Sequence, residues 1–232
     1  MIDIIIRRGL LINGDIVDIF IDNGVIIEIN KDAQEEVVAR KEINLYGKYY
    51  VSPGWIDIHT HCFEKYKLYS DNPDMIGYRT GVTTVVDAGT SGANDICEFY
   101  EKAKEYKTNV YSFLNISKIG LCRQDELSNL DNIDIIKIEE SLKKYPKFIL
   151  GLKARMSKSV IGESGIAPLE ICKKVSKRLG VKVMVHIGSN PPDLKDILDR
   201  LDKGDIVSHI FNGKENGIID KENNIKNEVI EA

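Results

Sequence analysis

The sequence predicts an α/β protein: a small all-β module over residues 1–50, then βα units over 51–232 whose parallel sheet curls into an incomplete barrel. Three observations lead there. β-branched runs broken by Asn-Gly and Asp-Asn-Gly fill the first fifty residues. From "YYVSPGWIDIHTH" onward, short apolar runs alternate with charged amphipathic stretches, the pattern of parallel βα units. All four histidines of the chain fall where strands of such a sheet are expected to end.

In the β module, "DIIIRRGLLI", "DIVDIFID", "GVIIEI" and "KEINLYGKYYV" read as strands, and the turn residues between them predict antiparallel pairing. Six further strands are expected around 55–61, 82–88, 109–115, 147–154, 181–187 and 205–211, with helices over 92–107, 133–145, 168–180 and 192–203. Strand starts lie 24 to 38 residues apart, close to the roughly 30 residues of a βα unit. A closed barrel takes eight units and about 250 residues, so about six units fit here.

With 32 Lys+Arg against 36 Asp+Glu, the net charge of −4 gives no basic footprint, and nucleic acid is excluded as an expected partner. No apolar stretch approaches the roughly 18 residues of a membrane span. The amino terminus carries arginines after its first apolar run and no small-residue cleavage site. A cytoplasmic protein without membrane contact is the expectation. Cys62, Cys97, Cys122 and Cys172 form no CxxC pair and are expected to be free thiols. No stretch ends in the Lys-Ser/Thr of a phosphate-binding loop.

The chemistry is concentrated in five residues. In an extended strand, residues two apart share a face, so His59 and His61 of "GWIDIHTHCF" aim together at one point. Pro53 and Gly54 favour an extended entry to that strand. His186 in "VMVHIGS" and His209 in "IVSHIFNG" close two later strands, and imidazole is the commonest metal ligand. Lys153 lies inside "FILGLKARMS", where a buried ammonium is costly unless it is paired or neutralised. Carbon dioxide can convert such an amine to a carbamate, a carboxylate able to ligate metal. Judged singly, His59 and His61 read as readily as structural polar groups, and His186, His209 and Lys153 read more readily as structural ones; together they read as a metal site.

Around that constellation the signals are weaker. Arg155 shares the strand face of Lys153 and is a candidate clamp for a substrate carboxylate. Asp87 and Thr90 in "GVTTVVDAGTSG" are expected to end a strand and cap the next helix, with orientation of an imidazole by Asp87 as the alternative. Asn190 and Asn212 are expected to be ordinary loop residues.

In this order, "PGWIDIHTH", "GVTTVVDAGTSG", "GLKARMS", "VHIGSNPP" and "SHIFNG" resemble the amidohydrolase superfamily, in particular its amidohydrolase/deacetylase branch, relatives of dihydroorotase and D-aminoacylases. The resemblance implies a (β/α)8 TIM-type barrel, here with its last strands missing, and residues 1–50 as the N-terminal half of a small β-sandwich. It implies two divalent ions, zinc being the expected metal, with His59 and His61 on one, His186 and His209 on the other, and carboxylated Lys153 between them. The implied activity is hydrolysis of a C–N amide or an acetyl ester in a small molecule by a hydroxide shared between the ions. A cyclic amidohydrolase or deaminase, of the dihydroorotase, hydantoinase or adenine deaminase type, is the enzymatic alternative. The family also uses a proton-accepting aspartate at the eighth strand, for which no residue is assignable; Asp205 and Asp220 fall in earlier units. The chain is therefore expected to be a piece of a longer enzyme, with an inactive metal-binding fragment as the non-catalytic alternative and a homo-oligomer compatible with either.

Overall fold

The computed structural model describes residues 1–31 and 37–232. It contains two compact units, Met1–Gly54 and Trp55–Ala232.

The first unit is a four-stranded sheet of β1 (Ile2–Leu10), β2 (Ile16–Asp22), β3 (Val25–Asn30) and β4 (Ala39–Asn44), in the order β3-β2-β1-β4. Asn23 and Gly24, at φ 50° and 75°, make the tight turn from β2 to β3 that Asp-Asn-Gly predicts. β1 to β3 pair antiparallel as expected. β4 departs from that expectation: it lies on the far side of β1 and runs parallel to it. A strand reached by crossing over its neighbours does not reverse direction as a hairpin strand does. Ile5, Val17, Ile19 and Phe20 are buried here, and Arg7 crosses to Asp18 with Nη1 2.8 Å from Oδ2. Asp18 Oδ1 also accepts the Arg8 amide at 2.8 Å, so this buried carboxylate is shared between a cation and the backbone at a β1 irregularity.

The second unit holds six parallel strands in sequence order: β5 (Trp55–Thr60), β6 (Val82–Ala88), β7 (Asn109–Asn115), β8 (Ile149–Met156), β9 (Lys182–Ile187) and β10 (Ile206–Ser208). It is a nearly closed, partial barrel, because His59 on the first strand contacts Ser208 on the last. The expected strands are all present. β10 is shorter than expected and ends before His209, whose φ of 62° leaves the extended region.

Alternation along β8 explains how the barrel is filled. Leu152, Ala154 and Met156 join the large core under the helices, while Gly151, Lys153 and Arg155 share the other face. On the inner side Val86, Ala88, Phe113 and Met184 form a smaller apolar cluster. The four expected helices are present, α1 (Ile96–Ala103), α2 (Ile135–Lys144), α3 (Ala167–Leu179) and α4 (Leu194–Leu198), each shorter than or close to its expected span, and short further helices lie at Pro73–Ile76, Lys158–Ile161 and Asn227–Glu231. Asp134 caps α2 by accepting the Lys137 amide. Gly180, at φ 69°, ends α3 after Lys177 and Arg178, cations placed at the negative end of the helix. Among the described residues, no helix is long and apolar enough to cross a membrane. All four cysteines are free, Cys62 and Cys172 buried and Cys97 and Cys122 exposed.

A buried ion pair ties α3 to the start of β10. Lys173 Nζ contacts Asp205, and lies 3.0 Å from Asp202. Burial pushes the Asp205 carboxyl up, but hydrogen bonds from the Asp202 amide, Lys173 and the Val183 amide outweigh it and hold the group below the ordinary range. A carboxylate whose pKa is lowered by folding stabilises above its unfolded pKa of about 3.9, and that contribution is lost as pH falls through the folded value. Asp205→Asn is therefore expected to lower the unfolding temperature at neutral pH. The gap to wild type should close in thermal scans taken at progressively more acid pH.

Candidate metal centre

β5 carries His59 on its last turn of pleat, with His61 one residue past the strand end; β9 carries His186; His209 follows β10 at once. Their rings form a continuous arc. His61 to His59 is 5.6 Å between centroids, His59 to His209 is 4.7 Å, and His209 to His186 is 4.6 Å. Residues separated by 150 positions in the chain thus meet at one end of the barrel, the end where parallel strands terminate. Left-handed backbone at His209 is uncommon for a non-glycine residue and marks a position held by its surroundings.

Lys153 lies in the middle of β8 with no exposed surface, and its Nζ has no hydrogen-bond partner. Burial, followed by the charge of Arg155, pulls its pKa down to about 7. Burial and the Lys153 charge also pull His61 down to about 3; His59 is lowered by the same two causes. For His186 burial, then the Arg155 charge, lowers the value to about 3, and for His209 burial and Lys153 act in the same direction. Neutral imidazoles keep the lone pair that a metal takes, and a neutral amine is the form that reacts with carbon dioxide.

Space for Lys153 depends on Gly89. At φ +83°, a Cβ there would stand 2.6 Å from Lys153 Cγ and 2.7 Å from its Cβ. Gly89→Ala combines left-handed strain with overpacking against a buried stem, and is expected to cost about 2–4 kcal/mol in denaturant unfolding.

Arg155 is 5% exposed. Its Nη1 donates to both oxygens of Glu126, at 3.2 and 3.0 Å, and its guanidinium carbon lies 5.6 Å from the centre of the Tyr69 ring. Tyr69 in turn is 5.9 Å from His61. Burial pushes the Glu126 carboxyl up to about 7 against the opposing pull of Arg155. Glu126 carries no sequence signal of its own, standing in the irregular segment after β7; only the need of an inward arginine for a counter-charge points to it.

Asp87 closes the turn after β6, accepting the Thr90 amide at 2.6 Å and the Cys62 amide at 2.8 Å. Thr90 does not cap the next helix: α1 begins at Ile96 behind Asp95. Its hydroxyl is instead 2.8 Å from His61 Nδ1. Asn190 reaches Asp193, and Asn212 is engaged with the carbonyl of His209 and the amide of Lys214, as loop residues do. Asp220 accepts the amides of Glu222 and Asn224 in a turn of its own.

The donor set suits a metal pair. Four neutral imidazoles and an orphaned amine, convertible to a carboxylate, offer the nitrogen and oxygen ligands that zinc and similar ions take. Among the described residues, no three His, Cys, Asp or Glu side chains already stand with their donors gathered as around an ion. The rings pack instead in T-shaped and tilted pairs.

No protein-family model matches the chain. It is 47% identical over 220 residues to a deacetylase of Enterococcus faecalis, covering 94% of this chain and 59% of the relative. A solved adenine deaminase aligns with a TM-score of 0.92 and 45% identity, over 100% of this chain and 63% of that one. A solved dihydroorotase aligns with a TM-score of 0.87 and 32% identity, over 94% and 59%. The chain thus spans about three fifths of the length of the relatives it matches. With its partial barrel and its row of strand-end histidines, the chain is a relative of the deacetylases of the amidohydrolase superfamily.

Proposed function

We propose that the protein of this chain is a metal-dependent deacetylase that releases acetate from a small amide or acetyl ester. The observation that carries the reading is Lys153: an amine without a partner, fully buried beside four neutral imidazoles. Such a group is costly to keep in a core, and a carbamate shared between two ions relieves that cost. His59 and His61 would hold one ion and His186 and His209 the other. Bound there, the ions would supply polarisation of the scissile carbonyl and a water made acidic enough to attack near neutral pH. The chain's own part is to keep the imidazoles unprotonated by burial and to place Arg155, braced by Glu126, beside the site as a clamp for a substrate carboxylate.

The likeness to an adenine deaminase supports a second reading, hydrolytic deamination at the same centre. The two separate cleanly in one experiment. The chain reconstituted with zinc and bicarbonate is incubated with N-acetyl amino acids, O-acetyl hydroxy acids, dihydroorotate and adenine. Acetate release without ammonia supports the deacetylase; ammonia from adenine overturns it in favour of the deaminase.

A further inference from the structure

The two histidines at the end of β5 differ from the other two in how they are held. His61 Nδ1 meets the Thr90 hydroxyl at 2.8 Å and His59 Nδ1 meets the Ser208 hydroxyl. Among the described residues, the rings of His186 and His209 have ring contacts and no side-chain hydrogen bond. Only Thr90 has a carboxylate behind it. Asp87, fully buried, accepts the Thr90 side-chain hydroxyl as well as the Thr90 and Cys62 amides. Burial pushes the Asp87 carboxyl up, while the hydrogen bonds it accepts from Thr90 and the Cys62 amide favour its ionised form; ionised, it is acceptor-only, so the hydroxyl hydrogen goes to Asp87 and the Thr90 oxygen is left to accept. An oxygen so placed can accept from His61 Nδ1 when that nitrogen carries the ring proton.

We infer that Thr90, oriented by Asp87, is a positioning residue that fixes the His61 proton on Nδ1 and keeps Nε2 as the lone-pair nitrogen turned to the site. Asp87 also takes the amide of Cys62, the residue next to His61, so one carboxylate sets both the backbone and the ring tautomer at the end of β5. The Ser208 hydroxyl has no carboxylate partner among the described residues and can either donate or accept, which leaves the His59 tautomer unset by this route. The inference rests on the proposed metal site for its purpose, not for its geometry.

Four histidines make the test tractable by nitrogen-15 NMR of the imidazoles in the metal-free full chain, above neutral pH. The expected wild-type spectrum shows His61 protonated at Nδ1 alone. Thr90→Ser should preserve that pattern, and Thr90→Val should give a tautomer mixture at His61. Asp87→Asn should move the proton to Nε2, because a side-chain amide can donate to Thr90 and free its hydroxyl to donate in turn. Zinc affinity, read by chelator competition, should fall about 10- to 100-fold in Thr90→Val and recover in Thr90→Ser. A wild-type His61 protonated at Nε2, or an unchanged spectrum in Thr90→Val, would overturn the inference. Failure of the wild-type chain to take up zinc would count instead against the proposed function, since the nitrogen spectrum is decided without metal.

Discussion

Lys153→Met is expected to stabilise the fold and abolish the metal pair together. The amine is buried without a partner, and an unsatisfied buried polar group costs about 1–3 kcal/mol. Methionine is close in length and flexibility and adds no polar atom, and the inner side of the sheet already holds the apolar cluster of Val86, Ala88, Phe113 and Met184. Unfolding temperature should rise by several degrees, at about 2–4 °C per kcal/mol for a domain of this size. Bound zinc in the presence of bicarbonate should fall well below two ions per chain, and hydrolysis by at least two orders of magnitude. Stability gained where activity is lost marks a group kept for chemistry rather than for packing. A substitution that lowers stability and leaves zinc uptake intact would place Lys153 among structural residues.

Glu126→Ala carries the largest expected loss of stability. Both partners of the Glu126–Arg155 pair are almost wholly buried, and removing one leaves the other as an uncompensated charge, at about 3–5 kcal/mol. The double substitution Glu126→Leu with Arg155→Met should recover most of the loss, because an apolar pair replaces an ionic one without an orphan. A denaturant-unfolding cycle over the four proteins measures the coupling. Near-additive effects would mean that the contact between Arg155 and Glu126 contributes little to the fold.

What was legible in the sequence follows from where its signals are local. HxH on a strand fixes a common face by geometry alone, and apolar runs ending in histidine place His186 and His209 at strand ends before any tertiary contact is known. Lys153 is visible because a charge inside "FILGLKA" violates the pattern around it. The remainder depends on contacts distant in the chain. Glu126 has an ordinary sequence setting and acquires its role only because β8 brings Arg155 across from 29 positions away. Thr90 reads as a helix cap, yet the helix starts later and the hydroxyl is taken by a histidine 29 positions earlier. The parallel placement of β4 is likewise invisible in its own residues, since strand direction is set by the path between strands. His209 reads as lying within the last residues of a strand reaching 211, and the earlier end of that strand and the left-handed backbone of His209 show only in three dimensions.

The most direct measurement is anomalous diffraction from crystals of the chain grown with zinc and bicarbonate. Two zinc peaks about 3.5–4 Å apart, ringed by His59, His61, His186 and His209 with an elongated Lys153 side chain reaching between them, are the predicted result. One peak or none among the four imidazoles, with Lys153 ending in an unmodified amine, would contradict it.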